Sequence, residues 1–368
     1  QFENKTGNAT FNNNFQNENA TISATQPLYR PANLATYEQG RKQVELAKAQ
    51  LSAVEQELIL RVSQAYFDVL AAQDNLFLVR EQKKAVAEQF ASAKRNFEVG
   101  TATITDSREA EAQYDLIQAE EISVENDVRV KRLALELIVG RPANELKPLA
   151  RPVVLPPVTP GEPEPWVQIA YDNSPTVQQA RLALEIAKLG VNKAYAGHKP
   201  TLDLNASYGN NRYPGGTSSS GFYTRTTSGT VGLAFNLPVF SGFLVQNQVK
   251  EALALEEKAK SDLDNAERSV AQFTRAAVFS LKSGLGKVKA LETAETSTQS
   301  ALDANMLGYQ VGVRINLDVL NSQTKLFATK RDLDQTRYNV LVGGLRLRQA
   351  AGTLKVDDLN AVNGLLAK

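Results

Sequence analysis

Few residues in this chain have the types and spacing that bond-making chemistry needs. His198 is the only histidine, so no metal site with two histidine ligands is available. It stands in AGHKP (196–200), just before a proline that ends any helix, and reads as a turn residue. Gly284-Leu285-Gly286-Lys287 has the residue types of a phosphate loop. Its glycine spacing is wrong, however, and Val288 stands where Ser or Thr would hold magnesium. There is no cysteine, hence no thiol nucleophile or thiolate metal site, and no nucleophile elbow. No enzyme, metal or cofactor is expected. The charged residues that remain of interest gather beside two turns, Val99-Gly100 and Val311-Gly312, whose glycines permit the left-handed backbone that joins two antiparallel helices. Thr105, Asp106, Arg314 and Asp318 follow closely. Taken singly, charges at helix ends are solvated and complement the helix dipole. With three copies around one axis each would become a ring. A ring of Asp318 at a narrow mouth would repel anions and attract cations. Tyr309, at the heptad end of one helix, is placed to hydrogen-bond a neighbour.

The elements that carry these turns come in two copies. Ala277 follows Ala65, Gly312 follows Gly100, Asp318 follows Asp106 and Gly352 follows Gly140, each by 212 positions. Upstream, NLPVF (236–240) echoes TQPLY (25–29) with an offset one residue shorter. An internal duplication outweighs any local propensity. Each copy reads as a strand ending in a proline (Pro27 or Pro238), a very long helix (36–97, 243–308), the Val-Gly turn, and a return helix (103–139, 315–351) stopped by glycine. At 1.5 Å per residue, a helix of some 60 residues is ~90 Å long, too long for a compact globule. A further helix over 164–196 has no counterpart in the first copy. By the offset its partner would precede Gln1, so an N-terminal helix and most of one strand are expected to lie before this sequence.

The helices carry a heptad. Leu58, Val62, Ala65, Val69, Ala72, Leu76, Val79, Val86, Phe90, Ala93 and Phe97 keep 4-3 spacing, interrupted by Lys83. Ala110, Tyr114, Ile117, Val124, Val128, Leu135 and Ile138 continue it on the return helix. A sustained period of 3.5 marks a coiled-coil seam. The second copy is looser: Val270, Ala277, Leu281, Val288, Leu291, Leu302 and Tyr309 hold, whereas Thr274, Gly284, Glu295, Thr298 and Asn305 do not.

Three segments alternate with period two: Ala20 to Leu28, Leu202 to Tyr208 and Val231 to Val239. One apolar face fits a barrel wall with lipid outside and water inside. The polar, glycine-rich loop 209–221 suits an exposed barrel end, and the Pro-rich stretch 152–165 a stiff connector. These strands are too few for one chain to close a barrel, so several chains must. No run of ~18 apolar residues occurs, which excludes a transmembrane helix but not a barrel. No signal peptide is visible, and Gln1 to Asn19 reads like the middle of a protein. Acidic and basic residues nearly cancel, 40 against 41, which argues against a nucleic-acid partner. The absence of cysteine suits an oxidising compartment.

AGHKPTLDLNASYG (196–209), VGLAFNLPVFSGFLVQNQVKEA (231–252), the paired tips FEVGTATITD (97–106) and YQVGVRINLDVLN (309–321), and RYNVLVGGLRLRQAAGTL (337–354) together resemble the TolC family of outer-membrane efflux proteins. The resemblance spans essentially the whole chain. It implies a mainly α protein with β structure. Three protomers would share a twelve-stranded barrel in outer-membrane lipid and a long α-helical tunnel across the periplasm. Residues 1–30 and 200–241 would then be strands and external loops. Residues 31–140, 164–199 and 242–352 would form the tunnel, and 141–163 and 353–368 a mixed equatorial region. It further implies a homotrimer whose tips, Gly100 and Gly312, dock a periplasmic adaptor serving an inner-membrane ABC, RND or MFS-type transporter. The cargo would be drugs, secreted protein, or both. Bonds at Thr105, Asp106, Tyr309 and Arg314 would hold the mouth shut. The family's two acidic constriction rings would fall on Asp318 and on position 321; Asn321 halves that charge from six carboxylates to three. A coiled-coil scaffold or surface stalk would explain the heptads, but not the duplicated strands beside Pro27 and Pro238.

Overall fold

A computed structural model describes residues 2–6, 9–13, 16–143, 145–216 and 222–367. Thr217–Gly221 of the polar loop therefore lie outside the described residues. The elements in chain order are strands β1 (Phe2–Thr6), β2 (Ala9–Asn13) and β3 (Glu18–Tyr29), helices α1 (Pro31–Glu98), α2 (Ile104–Val139), α3 (Pro163–Asn173) and α4 (Pro175–Tyr195), strands β4 (Thr201–Tyr213) and β5 (Thr224–Asn236), and helices α5 (Leu244–Gln310), α6 (Asn316–Ala350) and α7 (Asp358–Asn363). The duplication is visible in the fold: α1 and α5, and α2 and α6, match to within a residue at the 212 offset. The chain divides into two units, Gln1–Leu46 with Arg181–Asp262, and Ala47–Ala180 with Leu263–Lys368.

The first unit holds the strands. β3, β4 and β5 form one antiparallel sheet in that order, and β1 pairs with β2 in a separate hairpin that the alternation had not marked. The register sorts side chains by face. Ile22 lies opposite Tyr208, Ala24 opposite Ala206, Ala206 opposite Val231, Leu204 opposite Leu233, and Leu202 opposite Phe235. Ser23, Ser207 and Thr230, and Thr25 and Asn205, fall on the other face. Pro27 does not end its strand. It sits inside β3 at an irregularity between Pro27 and Tyr29, the kind of place where a residue without an N–H is tolerated. β5 stops at Asn236, before Pro238, so Leu237 and Val239 are not strand residues. At the end of β3, Arg30 forms a bidentate pair with Asp203 of β4 (Nε to Oδ1 2.8 Å, Nη2 to Oδ2 2.7 Å). Lys42 of α1 pairs with Glu185 of α4 at 2.8 Å.

The second unit holds two helical hairpins. Val79, Val86 and Ala93 of α1 pack on Ala110, Ile117 and Val124 of α2, along the seam that the heptad marks. Fully burying each such valine or leucine is worth ~1.5–3 kcal/mol. Leu58 and Phe97, at the ends of the run, are exposed. Lys83 does not break the seam. Its ammonium pairs with Glu121 at 2.8 Å and lies 5.8 Å from the Tyr114 ring centre, so its stem and its charge are both used. The second hairpin packs Val278, Leu281 and Val288 of α5 on Leu333, Val340 and Leu347 of α6. Here the buried position is Val278 rather than Ala277, and Thr274, expected to fail, is fully buried. Gly284 lies within this contact. A Cβ on it would meet Val340 Cγ2 at 2.8 Å, so the glycine of the phosphate-loop lookalike is a close-approach residue in mid-helix.

The helix expected over 164–196 is two helices. Pro175 has no N–H and holds Ser174 extended (φ −62°, ψ 122°), so α3 ends at Asn173 and α4 begins anew. A 3-10 turn, Ala196–His198, follows α4, and His198 is an exposed residue of that turn leading into β4.

Candidate functional site

The tips are built by the same device twice. Gly100 (φ 80°) donates to Phe97 O at 3.0 Å, and Thr101 N–H donates to Asn96 O at 2.8 Å. Gly312 (φ 79°) donates to Tyr309 O at 3.1 Å, and Val313 N–H donates to Gly308 O at 2.9 Å. This is the Schellman closure of a helix, in which glycine takes a backbone conformation that strains any side chain.

Beyond the turns the copies diverge, and the divergence decides which carboxylate is available. In the first tip Thr103 caps α2. Its hydroxyl accepts from Asp106 N–H (3.3 Å), and the Asp106 carboxylate accepts from Thr103 N–H (3.0 Å), a reciprocal box. Thr105 hydroxyl lies 2.5 Å from Thr103 hydroxyl. In the second tip Ile315 occupies the cap position and offers no side-chain acceptor. Asp318, the counterpart of Asp106, is therefore left to pair at 3.6 Å with Arg314, just ahead of α6. Arg314 reaches this place across Gly308, where a Cβ would meet its Cγ at 2.7 Å. Within the chain, then, Asp106 and Arg314 do not pair with each other.

A cleft of about 710 Å³ separates the two tips, with Asp106, Tyr309, Gly312 and Arg314 in its lining. Gly100, Thr105, Asp318 and Asn321 are not part of that lining. Tyr309 is partly buried against Leu302, Val319 and Leu326, and its hydroxyl accepts from Asn96 Nδ2 at 3.5 Å, a long contact between the hairpins. Asn321 is exposed on α6. The sequence reading missed Gln89, Gly308 and Asn316. The signal for Asn316 was available: its counterpart at the 212 offset is Ile104, an apolar-to-amide change at the first residue of the return helix.

Farther from the tips, the Glu121 carboxyl is held below the usual range by hydrogen bonds from Lys83 and Arg80. Asp74 of α1 accepts from Tyr338 hydroxyl of α6 at 2.6 Å. Burial pushes both groups up, the carboxyl against a smaller opposing effect of the hydrogen bond. Among the described residues no group of His, Cys, Asp and Glu is placed to hold a metal, and no helix is long and apolar enough to cross a membrane. The arrangement offers helix-to-helix ties and charge at a tip, and no reactive constellation.

A family model described as outer membrane efflux protein matches residues 3–141 and 166–353. The chain belongs to that family. It is 34% identical over 346 residues to the outer membrane protein TolC of Vibrio cholerae, covering 94% of this chain and 78% of that protein. It is 31% identical over 345 residues to the alkaline protease secretion protein AprF of Pseudomonas aeruginosa, covering 93% and 71%. The fold is also that of the outer membrane protein VceC from Vibrio cholerae, with a TM-score of 0.78 at 18% identity over 92% of this chain and 87% of that one. The outer membrane efflux protein is an outer-membrane exit duct extending into the periplasm, of the kind that serves efflux and type I secretion. It is a passive channel and not an enzyme. The stalk alternative is set aside by this membership.

Proposed function

We propose that three copies of this chain close one duct, with residues 1–30 and 200–241 as barrel wall and external loops, 31–140, 164–199 and 242–352 as tunnel, and 141–163 and 353–368 as an equatorial region. The observation that carries the reading is the sheet register. It gathers the apolar side chains of three strands on one face, where Ile22, Val231, Leu233 and Phe235 stand exposed in the single chain. Such a face suits lipid. The outer strands of the sheet, β3 and β5, have no further partner among the described residues. An open edge is not tolerated in lipid, so neighbouring copies must cover it. The helices support the same reading: Leu51, Val54 and Leu58 of α1, and Val130, Leu133 and Leu137 of α2, are exposed at seam spacing.

In this duct Gly100 and Gly312 form the periplasmic ends that a periplasmic adaptor grips, with an ABC, RND or MFS-type inner-membrane transporter behind it. Thr105, Asp106, Tyr309 and Arg314 restrain the mouth. Asp318 forms the acidic ring, weakened by Asn321 at the next position along α6 that could have carried a second one. Protein secretion is supported by the AprF likeness and efflux by the family. Light scattering of the full chain in mild detergent tests the assembly: three copies are expected, and a stable monomer would refute it. Planar-bilayer recording then tests conduction by the same sample.

A further inference from the structure

We propose that Asn316 is a latch: its buried side-chain amide ties the first hairpin to the start of α6, and the mouth opens only when that tie is released. The inference rests on the reading of the tips as a gate. Asn316 is completely buried. Its Oδ1 accepts from Gln89 Nε2 of α1 at 2.5 Å, and its Nδ2 donates to the backbone carbonyl of Asp106 on α2 at 3.0 Å. One amide thus joins three helices and both hairpins. The tie exists once per chain, because the matching residue of the first copy, Ile104, is apolar and exposed.

The physics makes this a two-position element. A buried amide is tolerated while its donor and acceptor are used, and it is costly when they are not. Small separations of the hairpins therefore leave Asn316 unpaired, and only a separation wide enough to admit water satisfies it again. Gln89, Asp106 and Asn316 all line the tip cleft, so water has a place to enter. The Asp106 carbonyl is a firm anchor, since the capping box at Thr103 fixes the turn that carries it. By contrast the exposed pair of Arg314 and Asp318, screened by solvent, joins no two elements within the chain, so any restraint by Arg314 acts between neighbouring copies.

Two measurements on the assembled protein test the latch. The first is single-channel recording in planar bilayers. Asn316→Leu, similar in size but unable to bond, should raise open probability about tenfold, the scale expected when a buried polar contact is lost. Asn316→Asp should behave likewise at neutral pH, where a carboxylate accepts from Gln89 but cannot donate to the Asp106 carbonyl. It should return toward wild type in acid, where the protonated carboxyl donates again; wild type and Asn316→Leu serve as controls over the same pH range. A role in folding alone would not produce that reversal. The second uses the absence of cysteine from the chain. Gln89→Cys with Asn316→Cys, bridged by a short bis-methanethiosulfonate that forms a reducible disulfide to each thiol as methanesulfinate leaves, should block export and regain it on reduction. Wild-type conductance from an assembled Asn316→Leu trimer, or normal export by the bridged protein, would overturn the latch. If Asn316→Leu does not assemble, the bridged pair decides alone. Failure of the wild-type protein to form channels at all would refute the gate reading, and the latch with it.

Discussion

Gly140 and Gly352 end the return helices of the two copies and offer a matched test of what a glycine does. Their backbones are nearly the same, φ 73° and 71°. Alanine at either one suffers the left-handed strain, ~1–2 kcal/mol. Their surroundings differ. A Cβ on Gly140 meets nothing within 4 Å, whereas on Gly352 it would lie 2.3 Å from Asn173 O and 2.6 Å from Ser174 Cα. Those are backbone atoms at the break between α3 and α4, and no rotamer can move them aside. The break would have to retreat by about 1 Å, an overpacking cost of ~1–3 kcal/mol. The retreat also loosens Gln56 Nε2, which donates to Gly352 O at 3.1 Å. Gly352→Ala should therefore cost ~2–5 kcal/mol and Gly140→Ala ~1–2 kcal/mol. Chemical denaturation of the two detergent-solubilised variants, followed by helical circular dichroism, measures the difference. Equal losses of stability would refute the argument, because strain alone would then account for both glycines.

Other tests bear on the gate and its supports. Arg314→Ser should raise single-channel conductance, while Asp318→Ala should mainly weaken block by multivalent cations; unchanged conductance in the first with a strong rise in the second would make the acidic ring itself the closure. Gly312→Leu should abolish export without preventing assembly, and normal export would count against docking at the tip. Ile315→Thr should rebuild in the second copy the box that Thr103 and Asp106 form in the first, stabilising α6 by ~0.5–1 kcal/mol and drawing Asp318 from Arg314; an unaltered denaturation midpoint would speak against it. Burial raises the Asp74 carboxyl in the folded chain, so the folded state binds that proton more tightly than the unfolded one. Stability from this site should therefore rise as pH falls from neutral through its raised value, and that slope should flatten in Asp74→Asn.

Which parts of this were legible beforehand follows from how local the cause is. The tips were, since a Val-Gly turn between two heptads needs a left-handed residue and glycine supplies it. The first seam was too, because Val79, Val86, Ile117 and Val124 face one partner and keep strict spacing. The break at Ser174-Pro175 was equally local and was missed only because the apolar period continues across it. The looser second seam misled for another reason. Thr274 is buried with its hydroxyl 3.5 Å from Ala350 O, and Gly284 is small because Val340 presses on it, and neither reads as apolar in a pattern.

The sequence by itself determined the duplication, the long hairpins, the period-two strands and the absence of reactive chemistry. Each depends on residue type and spacing along one strand or helix, which folding does not change. Only the tertiary structure decided the partners. Asp74 of α1 and Tyr338 of α6, 264 positions apart, meet only where their two helices pack. Asn316 looked like an ordinary first-turn residue until Gln89, 227 positions away, was brought against it. A hydrogen bond depends on a few tenths of an ångström between groups whose separation in sequence carries no information about their separation in space.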